Sequence, residues 1–352
     1  MSIPQTYKAF RRTSGGLPRT LELSTEQLPW ELKPNDVLIK IHAVSLNFRD
    51  VGMLHGRYPV EALERGIPCS DAAAKVAAVG SAVKDFSVGD RVSVIFDLVK
   101  LTGAEDDPMM ALLGGNADGV LREYAIYEDK HLVHLPEHLS WEEAATITCA
   151  GCTAWTALNG LKWVDAKPRS ALMQGTGGVS MFALLICLAA GIRPIITSSS
   201  DKKLEDIRKL SSDVRTINYK TVSNQTAEVK RLTDGKGVDF VINNVGPSSI
   251  PEDISFLRQR GGMISLVGFL SGTGGDWKPE AVMELMMKNA ALKGITVSSK
   301  EEYIELNRFL AEKKVSLAPF VDRVFSFDES PAAFDYMYSG RHVGKVIIKV
   351  QD

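Results

Sequence analysis

The sequence predicts an α/β protein, a doubly wound parallel sheet joined to an irregular, mostly β part. Three observations predict it. Residues up to about 135 read as short strands and turns. From about 141 strands and helices alternate, and the strands are continuously apolar. A glycine-rich turn joins the first strand of that alternation to its first helix.

In the first part, 37–44 alternates as a half-buried strand does, 91–96 follows the turn Ser87-Val88-Gly89-Asp90, and 122–127 follows Asp118-Gly119. Irregular connections such as 102–116 lie between them. The period then changes. Residues 141–161 read as one helix, with Ser140 as its cap, Glu142 and Glu143 in its first turn and Gly160 near its end. Strands at 170–174, 194–197, 216–218, 238–243 and 263–268 alternate with helices at 177–190, 201–210, 226–232 and 250–257. A last part, from about 294, holds helices at 301–312 and 331–338 and strands at 321–327 and 344–350.

The chain has 352 residues, enough for two domains, and its formal net charge of -2 gives no electrostatic reason to expect nucleic acid or an anionic membrane. The most apolar segment, 181–192, is too short to span a bilayer and reads as a buried helix. Basic residues near the start have no apolar run behind them, so no secretory signal is expected. Four cysteines (Cys69, Cys149, Cys152, Cys187) make no disulfide framework, which fits a reducing compartment, the cytoplasm by default.

The glycine turn, Gly175, Thr176, Gly177, Gly178, Val179 and Ser180, carries the strongest chemistry. Glycines let the backbone approach phosphate oxygens, and the free N–H groups at the start of the next helix face negative charge. Ser180 stands where the third glycine of the dinucleotide pattern would be. At the end of the second strand an NAD enzyme needs a carboxylate for the ribose 2′-hydroxyl. Here Ser198 and Ser199 occupy that end, and Lys202 and Lys203 follow, groups that suit a 2′-phosphate. Asp201 is expected to cap the helix. The cofactor expected is NADPH.

Several segments resemble, in combination and order, the medium-chain dehydrogenase/reductase superfamily, specifically its zinc-free quinone oxidoreductase-like branch. They are 44–50 (Val-Ser-Leu-Asn-Phe-Arg-Asp), 89–92, 118–124, 143–145, 153–155, the glycine turn, 217–219 and 344–346. The resemblance implies a GroES-like catalytic domain over 1–140 and 294–352, with a Rossmann NADP-binding domain inserted over 141–293. It also implies a homodimer and an active site between the two domains. The phosphate-contact lysine and tyrosine of the family look like Lys203 and Tyr219. Asn243, the segment Val267, Gly268 and Phe269, the pair Ser298 and Ser299, and Lys345 are further cofactor candidates.

Zinc-dependent relatives hold the metal with Cys, His and Cys plus a nearby Glu. In this sequence those positions read Asn47, Ser70, Cys149 and Asp71, and one thiolate cannot hold the ion. His131, His134 and His138 do not share a strand face and make no alternative site. Without a Lewis acid, hydride addition to an activated C=C is easier than to a simple ketone, because charge spreads into an enolate. The expected reaction is reduction of an enone, quinone or enoyl group on a small hydrophobic substrate. Asn47 is the candidate donor, with Tyr58 and His55 on the same loop. Arg49 and Asp50 read as a structural pair. A tyrosine found in relatives is replaced here by Gly52. Two rivals stand beside this reading: a zinc-free carbonyl or imine reductase (or alcohol dehydrogenase), and a non-catalytic, crystallin-like NADPH-binding protein. Met109, Met110, Leu112 and Leu113 in 99–116 are expected to offer apolar cover.

Overall fold

Backbone pairing organises the chain around two large sheets in a computed structural model that describes residues 4–106, 108–162 and 169–351. Strands β1 (Thr6–Arg12) and β2 (Leu21–Gln27) pair with each other. Then come β3 (Asp36–Ser45), helix α1 (Phe48–Leu54), β4 (Asp71–Val79), β5 (Arg91–Val94), β6 (Tyr124–Glu128), β7 (Leu132–His134) and helix α2 (Trp141–Ala144). A π turn over Ile147–Gly151 precedes α3 (Cys152–Ala157). The alternating region runs β8 (Ser170–Met173), α4 (Gly178–Ala190), β9 (Arg193–Ser198), α5 (Asp201–Arg208), β10 (Arg215–Asn218), α6 (Gln225–Leu232), β11 (Phe240–Asn243), α7 (Ile250–Phe256), β12 (Met263–Leu266), α8 (Met283–Lys288) and β13 (Ala291–Gly294). Helix α9 (Lys300–Lys313), β14 (Val321–Ser326), α10 (Ser330–Tyr338) and β15 (Lys345–Lys349) complete the chain.

The chain divides into two compact units. One runs to Cys152 and resumes at Val297; the other is Thr153–Thr296. In the first, a seven-stranded sheet follows the order β14-β15-β3-β4-β5-β7, with β6 on β3. Its core gathers Ile39, Ile41, Val44, Leu46, Ala72, Ala74, Val346 and Ile348. The closing strand β15 lies antiparallel to β3, which pairs with β4 on its other side. That arrangement brings residues from both ends of the sequence beside the start of α1. In the second unit six parallel strands follow the order β10-β9-β8-β11-β12-β13. Strands β8 and β11 are buried along their whole length, which explains their unbroken apolar character. The order reverses between β8 and β11, where doubly wound sheets open a crevice for ligands.

The fold class read from the sequence is the one observed, with differences in detail. Residues 141–161 are not one helix. Ser140 does cap the start, since its hydroxyl accepts from the Glu143 N–H at 3.1 Å. The run is broken by the π turn and by Asn159, Gly160 and Leu161, at left-handed φ of 55°, 57° and 58°. Its first twelve positions pack in the first unit rather than the second, because Trp141 stacks on His42 of β3 at 4.3 Å. The guanidinium of Arg91 lies 3.8 Å over the same indole. Leu112 and Leu113, expected as surface cover, are buried in the first unit; only Met109 and Met110 of that set are exposed. Asp107 in that loop lies outside the described residues. Among the described residues no helix is long and apolar enough to cross a membrane.

Candidate active site

In the second unit the expected turn connects β8 to α4. Gly175 adopts a φ of 79°, where a side chain is strained, and its N–H donates to Thr197 Oγ1 at 3.2 Å. Gly177 is the N-cap of α4, exposed and extended, and a Cβ built on it meets no described atom within 4 Å. Gly178 and Val179 open the helix, whose first N–H groups lack carbonyl partners one turn back. Thr176 is buried. Ser180 does what a third glycine does elsewhere: it is buried against the strand, and its hydroxyl donates to the Gln174 carbonyl at 2.8 Å. Open space over a tight turn at a helix start fits a pyrophosphate.

At the end of β9, Ser198 is buried, Ser199 is exposed and Lys203 is half-buried on the first turn of α5. The cap of α5 is Ser200, whose hydroxyl accepts from the Lys203 N–H at 3.4 Å, rather than Asp201. The Asp201 carboxylate instead accepts from Asn218 Nδ2 at 2.7 Å, because β10 brings Asn218 alongside. Tyr219, one residue on, is exposed. Serines and a lysine therefore stand at the end of β9, and the Asp201 carboxylate beside them is already held.

Asn243 is wholly buried. Its Nδ2 donates to Asp253 at 2.6 Å and its Oδ1 accepts from the Gly246 N–H at 2.7 Å, so the side chain is spent inside the unit. Burial pushes the Asp253 carboxyl up to about 7. The strand-end position of Asn243 was legible, but its orientation follows from Asp253 on α7. Val267, Gly268 and Phe269 are half-buried after β12, tied down where the Val267 N–H donates to the Asn243 carbonyl at 2.9 Å. Gly268 has no room for a side chain, since a Cβ would stand 2.7 Å from the Asn244 carbonyl oxygen.

In the first unit, Asn47 stands at the N-cap of α1, and its backbone N–H donates to Asp50 at 2.8 Å. Lys345, expected at the cofactor, is only 1% exposed. Its ammonium donates to Asn47 Oδ1 at 2.6 Å and to Asp71 Oδ2 at 3.3 Å. Ser70 donates to the other Asp71 oxygen at 2.7 Å. Asn47 Nδ2 is covered and has no hydrogen-bond partner. The resemblance grouped Asn47, Ser70 and Asp71 at one former ligand site; sequence reasoning missed that Lys345 joins them, and no local pattern announces it.

Around this cluster, Arg49 Nη1 donates to the Leu113 carbonyl at 2.6 Å and lies 3.9 Å from Asp50, the structural pairing expected. Burial raises the Asp50 carboxyl. Tyr58 packs over Gly52, where a Cβ would meet Tyr58 Cβ at 3.5 Å, so the ring covers the space that glycine leaves. Burial also raises the Tyr58 phenol. His55 stacks on Tyr338 at 3.9 Å, at the other end of α1 from Asn47. Desolvation pushes the half-buried Cys149 thiol up to about 12, which leaves it a poor nucleophile. Ser299 caps α9 by accepting from the Glu302 N–H at 3.2 Å, and Ser298 is buried beside it. Val297 just before them holds a left-handed φ of 56°, costly for a β-branched residue. His134 and His138 each bind a different backbone carbonyl, of Asp85 and Val315.

Comparison with known proteins agrees with both units. The family model described as alcohol dehydrogenase GroES-like domain matches residues 33–137, and the one described as zinc-binding dehydrogenase matches 178–312. A zinc-type alcohol dehydrogenase-like protein of Schizosaccharomyces pombe is 38% identical over 92% of this chain and 93% of its own. The quinone oxidoreductase of Sus scrofa is 28% identical over 97% of each. A provisionally assigned alcohol dehydrogenase of Sinorhizobium meliloti superposes with a TM-score of 0.89 at 30% identity, over 99% of this chain and 100% of that one. Members of this family are nicotinamide-nucleotide-dependent oxidoreductases. A Rossmann unit with a glycine turn, a GroES-like unit and a relative matched along nearly the whole length make one conclusion: the chain belongs to the medium-chain dehydrogenase/reductase superfamily.

Proposed function

We propose that this oxidoreductase uses NADPH to reduce an activated C=C of a small hydrophobic enone, quinone or enoyl compound without a metal. The observation that carries this reading is the Lys345 ammonium seated 2.6 Å from Asn47 Oδ1 and 3.3 Å from Asp71. Resemblance matches Asn47 and Asp71 to metal-ligand positions. A dication there would meet a buried ammonium, an amide and a single thiol, Cys149. That donor set does not suit zinc. Hydrogen-bond donors remain, and they serve best where negative charge is delocalised, as in the enolate left when hydride adds at the β-carbon.

NADPH, when bound, supplies the hydride. Gly177 leaves room for its pyrophosphate, and Ser198, Ser199 and Lys203 suit the 2′-phosphate. The Asn47 amide donates to the substrate carbonyl oxygen. The Tyr58 phenol, raised further by burial, stands over Gly52 on the same segment. Solvent supplies the proton that completes the product. The name of the porcine relative, a quinone oxidoreductase, supports a conjugated acceptor.

The test follows NADPH oxidation with 2-cyclohexenone, menadione and cyclohexanone, alongside NADH and a metal assay of the purified protein. Turnover of the first two, at least about tenfold slower turnover of the saturated ketone, and weaker use of NADH are expected. Faster reduction of cyclohexanone favours the carbonyl-reductase rival. Tight NADPH binding with no turnover at all favours the crystallin-like one. Stoichiometric zinc removes the metal-free mechanism.

We also propose a homodimer built on the edge of the parallel sheet. Strand β13 is exposed throughout, beside exposed Met283, Met286 and Met287 on α8. An open strand edge with apolar neighbours invites pairing. Light scattering should give twice the chain mass, and Leu292→Lys with Met286→Lys should halve it; a wild-type monomer contradicts the proposal.

A further inference from the structure

We infer that Lys345 is a positioning residue that sets the orientation of the Asn47 amide. The inference rests on the proposed reduction, since it supplies the geometry that reaction needs. An asparagine amide can turn over, exchanging its oxygen and its NH2 group. An ammonium has donors only, so the end of the amide that faces Lys345 must be the oxygen. The 2.6 Å contact from Lys345 Nζ to Asn47 Oδ1 is therefore a lock, and it turns Nδ2 away from the ammonium. Nδ2 is buried and has no hydrogen-bond partner, a rare state for a donor and the reason its orientation matters. The backbone of Asn47 is held independently by its N–H bond to Asp50. The ammonium is itself anchored: Asp71 accepts from it at 3.3 Å, and Ser70 donates to the second oxygen of Asp71. A relay from Ser70 through Asp71 and Lys345 thus ends on one amide. Strands β4 and β15 hold its charged members on either side of β3.

The experiment compares wild type with Asn47→Ala, Lys345→Met, and the charge-balanced pair Lys345→Met with Asp71→Asn, which spares a lone buried carboxylate if the single variant fails to fold. Steady-state reduction of 2-cyclohexenone should lose about 100-fold in kcat on Asn47→Ala, the scale of one oxyanion donor. The balanced pair should lose at least about tenfold in kcat with NADPH affinity kept, and Lys345→Arg, which retains the cation, should recover part of it. Adding the pair to Asn47→Ala should cost no more than Asn47→Ala alone. Losses that multiply, or full kcat in the balanced pair, overturn the inference. A readout independent of turnover separates this from failure of the proposed reaction. In selectively 15N-asparagine-labelled protein, the side-chain NH2 signals missing from Asn47→Ala identify Asn47. They should shift in the balanced pair, whatever the substrate, and signals left in place refute the lock.

Discussion

Valine in place of Gly177 is expected to leave a folded chain that no longer takes up NADPH. Gly177 has φ -80° and ψ -177°, an extended conformation open to any residue. A Cβ there touches no described atom within 4 Å. The substitution therefore costs the protein little, about 1 kcal/mol for a poorer N-cap, which is a few degrees in melting temperature. The space it fills is the approach to the first N–H groups of α4, and a pyrophosphate bound by those backbone donors needs that approach. Branched methyls in that space should weaken NADPH binding at least about 100-fold, near 3 kcal/mol. Titration calorimetry beside a thermal melt reads both effects. Retained affinity in the folded variant would mean that the dinucleotide sits elsewhere. Gly175 is a poorer test, since its φ of 79° would strain any replacement and confound folding with binding.

The largest loss of stability is expected from alanine at Gly119. A Cβ there would stand 2.1 Å from the Cys69 carbonyl oxygen and 2.4 Å from that of Pro68, so backbone rather than a flexible side chain must give way. The two segments are laced together: the Gly119 N–H donates to the Ile67 carbonyl at 2.7 Å and the Val120 N–H to the Cys69 carbonyl at 3.0 Å. Cys69 already sits at a left-handed φ of 70°, which leaves it little freedom to move. Forcing these segments apart should cost at least about 3 kcal/mol, a large share of a typical domain's stability. Ser70 and Asp71 follow directly, so any folded fraction should also lose the register that seats Lys345. A urea melt reads the loss, with Gly16→Ala, where a Cβ meets no described atom, as the neutral control. An unchanged midpoint would show that the close packing is not as drawn.

The two units differ in how much of their site the sequence made legible. The dinucleotide turn is written in one stretch: strand, glycines and helix start lie within 170–190, and each feature is a local backbone preference. The serines and lysine after β9 are legible for the same reason. Asn243 shows where that ends, because its position at a strand end was readable but the Asp253 carboxylate that claims it lies on another element. The first unit was harder. Strand β4, rich in alanine, has little β propensity, and α1 is only seven residues long, so neither stood out although they carry Asp71 and Asn47.

By itself, then, the amino-acid order determined the α/β class, the nucleotide turn and the absence of a strand-end acid, while Asn47 was singled out by family resemblance. Tertiary structure alone decided which way that asparagine faces. Lys345 lies 298 positions from Asn47 and 274 from Asp71, and only pairing of β3 with both β4 and β15 brings the three together. Backbone preference acts over a few neighbouring residues, whereas a buried charge takes its meaning from whichever groups the folded sheet places within 3 to 4 Å of it.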